Sequence, residues 1–163
     1  MAHKWDINND LIQGDKLLLY LVTGATSGSG YDVLAYATSC SVQVDQETID
    51  TSSKFSCRWN ANMGGRASYT ISADALYTAA AGTTSFDTLL ALMLEGENVQ
   101  WAIGQETTFT GNCEDNPHTL DISKPYYTGE ALISSVSLEA GNNEIASCSI
   151  SMTGSNEITP HNS

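Results

Sequence analysis

The residues of this chain that carry reactive chemistry do not converge on a site. His3, His118 and His161 fall in an N-terminal arm, a polar loop and a C-terminal tail, and no metal-ligand spacing links them to cysteine or carboxylate. Cys40, Cys57, Cys113 and Cys148 lack any Cys-x-x-Cys pair. In a reducing compartment free thiols are the default, with Cys40 and Cys148 as small core residues; a Cys57–Cys113 bridge stays open. Asp115 and His118 are near in sequence, as a solvated loop pair is. Glu95 and Glu97 flank a helix end, where paired acids lack the apolar cleft that glycoside chemistry needs. Gly24 to Gly30 is glycine-rich, but no lysine or helix follows to cradle a phosphate. With no Gly-x-Ser-x-Gly elbow either, the sequence predicts no catalytic residue, no metal and no cofactor: it is not read as an enzyme.

Charge narrows the class further. Nineteen acids against six bases give a formal charge of −13 over 163 residues, which excludes a nucleic-acid binder or an anionic-membrane partner. The first residues lack a signal-peptide pattern, and the longest apolar run, residues 17–22, is too short to span a bilayer. A soluble protein made in a cytoplasm is expected. With 41 % apolar and 15 % charged residues, the chain predicts a folded domain.

Periodicity supplies the elements. Residues 17–22 read as an apolar strand, and residues 33–44 as a half-buried one, with Leu34, Tyr36, Cys40, Val42 and Val44 on one face. Residues 45–66 lose alternation and read as a long inter-strand loop. Tyr69, Ile71 and Ala73 resume it, and Val99, Trp101 and Ile103 repeat it. Leu132, Val136 and Leu138 form the first arm of a closing hairpin, turned at Gly141-Asn142-Asn143, with Ala146, Cys148, Ile150 and Met152 in the second. One helix, about 85–95, carries the stripe Phe86, Leu89, Leu90, Met93 and Leu94. Thr84 and Asp87 are placed to cap its start, and Gly96 to end it. The sequence thus predicts a mainly β domain over 1–163: a β-sandwich or barrel with one packed helix, an N-terminal arm (1–13), a polar excursion at 104–129 and a flexible C-terminal tail (154–163).

The polar strand faces are built from hydroxyls: Ser39, Ser41, Ser68, Thr70, Ser72, Ser135, Ser137, Ser147, Ser149 and Ser151. All four lysines lie at strand ends or outside strands. Bare sheet edges recruit other chains unless lysine, proline or inward charge defends them. The pattern fits a sheet that pairs with copies of itself, or one whose edges are covered by loops.

The run from Thr38 to Lys54, containing Glu47-Thr48-Ile49-Asp50-Thr51-Ser52-Ser53-Lys54, is followed by Trp59, Gly64 and Tyr69-Thr70-Ile71-Ser72-Ala73-Asp74-Ala75-Leu76-Tyr77. This resembles the major tail proteins of long-tailed bacteriophages, as do the helix and the segment from Tyr126 to Ile133. The resemblance covers about residues 14 to 154; Cys57 and the long 104–125 excursion depart from it. It implies six-membered rings stacked into a tail tube that conducts genomic DNA without binding it specifically. It implies a continuous barrel of neighbouring sheets around the lumen, with the 45–66 loop reaching an adjacent ring. The implied partners are copies of the chain and other tail proteins (tape measure, terminator, distal tail), with no membrane. The implied location is the virion tail, after assembly in the host cytoplasm. Glu47, Asp50, Thr51, Ser52, Ser53, Lys54, Arg58 and Trp59 become candidate contacts between subunits, with Lys54 and Arg58 pairing with carboxylates of the next ring. The inner tube of a contractile tail or injection machine shares this logic. A β-sandwich adhesin or carbohydrate-binding domain is the reading from another class, and a small hydrolase the third.

Overall fold

The computed structural model describes residues 12, 14–22, 30–34, 36–53, 59–78, 84–107 and 118–161. A 3-10 turn at Gly14–Lys16 leads into β1 (Leu17–Leu21). There follow β2 (Asp32–Val33), β3 (Ala37–Asp50), β4 (Asn62–Leu76), the helix α1 (Phe86–Glu95), β5 (Val99–Gln105), β6 (Tyr126–Glu139), β7 (Ser147–Gly154) and β8 (Thr159–His161). All named strands pair antiparallel in the order β2-β1-β5-β6-β7-β4-β3, with β8 added beside β6. The predicted class, a mainly β fold with one packed helix, is the observed one.

β6 makes one sheet into two layers. Its first residues pair with β5, from Ile103↔Tyr127 to Val99↔Ala131, and its last with β7, from Ala131↔Gly154 to Glu139↔Ser147. A bulge between Ile133 and Ser135 sits just after this handover, where an extra residue bends a strand. The two halves enclose one core of Leu19, Leu21, Tyr69, Ile71, Ala73, Trp101, Ile133, Ile150 and Met152. Across the open side the Cys40 thiol donates to the Leu17 carbonyl at 3.8 Å, bringing β3 near β1.

Tyr69 and Trp101 form the centre of that core. Their rings lie 5.7 Å apart and tilted by 60°; the Trp101 indole donates to the Tyr69 hydroxyl at 3.3 Å, and Tyr69 donates to the Glu130 carbonyl. Glycine is required around the pair. A Cβ at Gly154 would overlap the Tyr69 ring, and one at Gly129 would lie 2.8 Å from its hydroxyl oxygen.

Several expectations shift. The helix begins at Ser85, whose side chain makes no capping bond, and not through Thr84, which bridges to Leu34; Gly96 ends it left-handed at φ 70° as expected. On its core side Leu89 is buried and Phe86, Leu92 and Met93 are half-buried against the core; Leu90 is half-buried without joining it, and Leu94 is 76 % exposed. At 100° per residue Leu94 lies about 140° round from Leu89, so it points away from the core. In β6 the inward residues are Ala131, Ile133 and Val136, because the bulge changes the alternation; Leu132 pairs with Thr153 on the outer face. Tyr36, expected inside, takes φ 53° before β3 and stays exposed. Ala102 and Gly104 are also buried, so β5 is covered on both faces; Gly104 closely faces Leu120 and Tyr126. The 104–129 excursion is shortened from both ends by β5 and β6, and residues 108–117 lie outside the described residues.

The largest revision concerns the 45–66 loop. β3 continues to Asp50 and β4 begins at Asn62, paired as far as Asp50↔Asn62 with one bulge between Gln46 and Thr48. Only 51–61 connect them. The segment beyond the core is a two-stranded arm, and its sequence lacks alternation because both its faces are largely exposed. The C-terminal residues are likewise not a free tail. Ser155 N donates to the Glu130 carbonyl at 2.9 Å, and Thr159–His161 pair with β6. His161 stacks on Tyr126 with ring centres 4.4 Å apart. The arm at 1–13 is outside the described residues except for Ile12.

Candidate functional site

The half-sheet β6-β7-β4-β3 has two different faces. Alternate residues of β4 (Tyr69, Ile71, Ala73, Ala75) and β7 (Cys148, Ile150, Met152) are buried against the second layer. The residues between them form the outer face, and the register aligns them in rows. Ser39, Asp74, Ser149 and Ser137 make one row; Ser41, Ser72, Ser151 and Ser135 the next; Gln43, Thr70, Thr153 and Leu132 the third. Short hydroxyl side chains keep this surface smooth and hydrated.

One charge is built into it. The Asp74 carboxylate accepts hydrogen bonds from Ser149 Oγ at 2.6 Å and Ser39 Oγ at 2.8 Å, one from each flanking strand. Those bonds, Ser149 first, favour the ionised form and hold the carboxyl below its ordinary range. Asp45 stands further along the same face and accepts from Gln43 Nε2 at 3.0 Å.

Neither rim of the half-sheet carries a further strand among the described residues, and the helix packs against β6. Among the described residues β3 pairs only with β4, and β6 beyond Ala131 pairs only with β7. Neither β3 nor β6 contains lysine or proline. Unpaired amides and carbonyls on such rims are templates for strand pairing.

The arm is tied at its end by local bonds. Ser52 donates its amide to Asp50 Oδ1 at 2.8 Å, Ala61 donates its amide to Ser52 Oγ at 3.0 Å, and Thr51 Oγ1 donates to the Ala61 carbonyl at 3.1 Å. The Ser52 hydroxyl and amide hold the Asp50 carboxyl below its ordinary range. Of the predicted contacts, Asp50, Thr51 and Ser52 thus shape the turn, Glu47 lies exposed at the bulge, and Ser53 is exposed beside them. Trp59 is 85 % exposed, and Ile49 and Met63 pair across the strands while remaining open to solvent. Lys54 and Arg58 lie outside the described residues. On its core side the base of the arm borders an apolar groove of about 530 Å³, lined by Cys40, Val42, Val44, Tyr127, Ile158 and Pro160 among others.

Sequence reasoning missed Asp74 as a distinct element, although it stands inside the Ser72-Ala73-Asp74 motif. Its signal was a lone acid at a polar position of a hydroxyl-faced strand. The residues with reactive chemistry stay apart. His118 sits 2.8 Å from Glu106 on the surface, His161 is in β8, and Glu95 and Glu97 are exposed at the helix end. Cys40 and Cys148 are free thiols, each pushed up by burial; Cys57, Cys113 and Asp115 are outside the described residues. Among the described residues no three metal-ligating side chains gather.

Comparisons with known proteins agree with this geometry. A family model described as a phage tail tube protein matches residues 11–160. Among solved structures, the tail of an empty gene transfer agent particle with C6 symmetry superposes with a TM-score of 0.66 at 18 % identity, covering 91 % of this chain and 98 % of that one. The SPP1 tail tube gives 0.68 at 10 % identity, covering 94 % and 80 %. A chain of the anti-feeding prophage baseplate gives 0.58 at 10 % identity, covering 94 % and 97 %. No curated protein sequence matches.

Proposed function

This chain belongs to the phage tail tube protein family, and on that footing we propose that six copies close into a ring and that the rings stack into the tube of a bacteriophage tail. The observation that carries the reading is the half-sheet with open rims and one uncovered face. Joining the β3 rim of one copy to the free β6 rim of the next satisfies the unpaired backbone groups of both. The C6 symmetry of the gene transfer agent tail, a fold match, supports six as the number.

Closure into a barrel also orients the sheet. Its core face is covered by the second layer, so the hydroxyl face is the one available to line the lumen. A wall of serine and threonine offers no cation to phosphate, and Asp74 adds one fixed negative charge per copy. With −13 on each chain the ring repels a duplex carrying one charge per ~1.7 Å, so DNA passes without adhering. The role is structural and not enzymatic. Other tail proteins cap the ends of the stack, and assembly takes place in the host cytoplasm. The inner tube of a contractile machine shares this arrangement, and a sheath gene beside this one would distinguish it.

Electron microscopy and sedimentation of the purified protein across a concentration series test the proposal. Six-fold rings or hollow tubes are expected at high concentration. A strict monomer at every concentration and in the native particle would refute it.

A further inference from the structure

The second layer has an outer face of its own, opposite the core. Gln100 pairs with Glu130, Ala102 with Thr128, and Thr128 with Thr159, so β5, β6 and β8 set these residues side by side. Trp101, between Gln100 and Ala102, turns inward and is fully buried. On the outer face lies a pocket of about 640 Å³, lined by Tyr31, Gln100, Thr128, Glu130, Asn156 and Glu157 among others. Its size falls within the range of small-ligand sites.

The walls are fixed by bonds within the chain. Ser155 donates its amide to the Glu130 carbonyl at 2.9 Å and its hydroxyl to Asn98 Oδ1 at 2.8 Å. Asn156 Nδ2 donates to Glu130 Oε2 at 2.6 Å. Thr128 Oγ1 and His161 Nε2 share a hydrogen bond at 2.9 Å, and His161 is itself stacked on Tyr126. These ties hold the segment after β7 against β6, and a site already ordered loses little freedom on binding.

The chemistry of the lining selects the ligand. Carboxamides of Gln100 and Asn156 both donate and accept, as do the hydroxyls of Tyr31 and Thr128, whereas ionised Glu130 and Glu157 only accept. The lining has two carboxylates and no lysine or arginine among the described residues, so it repels phosphate and other anions. An apolar ligand would strand these polar groups without partners. An amine would use the acceptors and leave the carboxamide donors idle. A neutral polyol offers a donor and an acceptor at each hydroxyl and so uses both kinds. Half-buried Tyr31 adds an apolar ring for the C–H face of a sugar.

We propose that this pocket binds a neutral sugar unit, with Gln100, Asn156 and Glu157 taking its hydroxyls and Tyr31 its ring face. In the tail-tube reading the hydroxyl face of the other layer lines the lumen, which turns this pocket to the exterior, once per copy. Weak sites repeated along a tube act together on a polysaccharide. Binding of one sugar needs no assembly, so it stands or falls apart from the tail-tube reading.

Saturation-transfer difference NMR, which reads the ligand's own protons, tests the site on the full chain whether it is monomeric or assembled. Glucose, galactose, rhamnose and N-acetylglucosamine are each titrated to about 50 mM, far above the ~1 mM dissociation constant expected of a small polar ligand in an open pocket. Spermidine serves as the cationic comparison. At least one sugar should give a saturable signal stronger than spermidine's. Gln100→Ala and Asn156→Ala should each weaken that binding at least about tenfold, with thermal unfolding unchanged. No saturable signal from any of these sugars, a spermidine signal stronger than every sugar's, or sugar binding that both variants retain overturns the site. None of these results bears on whether rings and tubes form.

Discussion

One strand pair, β3 with β4, behaves as two different structures along its length. From Tyr69 to Ala75 it alternates buried and exposed, and one face joins the core. From Asn62 to Ala67 the same strand is mostly exposed on both faces, opposite an equally exposed β3. The backbone ladder continues unbroken in kind, but the hydrophobic contribution stops. Two-stranded ribbons are at best marginal in water, and the arm adds no buried core of its own. The body carries its own core; in the proposed assembly the arm is the part a neighbouring copy would complete.

The contrast is broken most strongly in the body. Ile71→Ala removes a fully buried side chain from the core and should cost about 2–5 kcal/mol, read as a lower midpoint in urea. Gly154→Ala forces a methyl into the Tyr69 ring and should cost about 1–3 kcal/mol by the same measurement. On the arm, Met63→Ser should leave monomer stability within about 0.5 kcal/mol, while raising the concentration at which tubes appear by light scattering. A loss of monomer stability comparable to that of Ile71→Ala would show that the arm is part of the body.

The smallest effect concerns Asp74. Its folded pKa lies below the ordinary carboxylate value of 3.8, so the stabilisation it gives is present above that range and is lost as pH falls through the depressed value. Because the carboxyl is almost fully solvated the contribution is modest. Asp74→Asn should lower neutral-pH stability slightly, flatten the acid limb of a stability–pH profile by the same small amount, and leave tube formation unchanged. An acid limb identical to wild type would remove the role assigned to the Ser39 and Ser149 bonds.

How legible each part was follows from this asymmetry. β1, the core half of β4, β5 and α1 were readable because burial on one side writes a period into the sequence. The arm was not: where neither face is buried, strand residues such as Thr48 and Arg66 follow no period, and the segment looks like a loop. β8 was missed for a related reason, since a short polar strand added beside β6 needs no apolar face. The bulge at Ile133 and Ser135 moved the inward positions of β6 in a way that alternation cannot foresee. Of the candidate contacts, Trp59 is exposed, which its residue type alone does not foretell. Asp50 ends β3 and Thr51 and Ser52 open the connection, and their turn-forming bonds depend on backbone geometry that sequence spacing does not give.

The central claim is that the open rims and the arm are completed by copies of the same chain. Amide hydrogen exchange of dilute protein against assembled material tests it most directly. The account predicts slower exchange on assembly along the outer rim of β3, along β6 beyond Ala131 and through the arm, with the Tyr69–Trp101 core unchanged. Equal exchange in those three places at every concentration would contradict it.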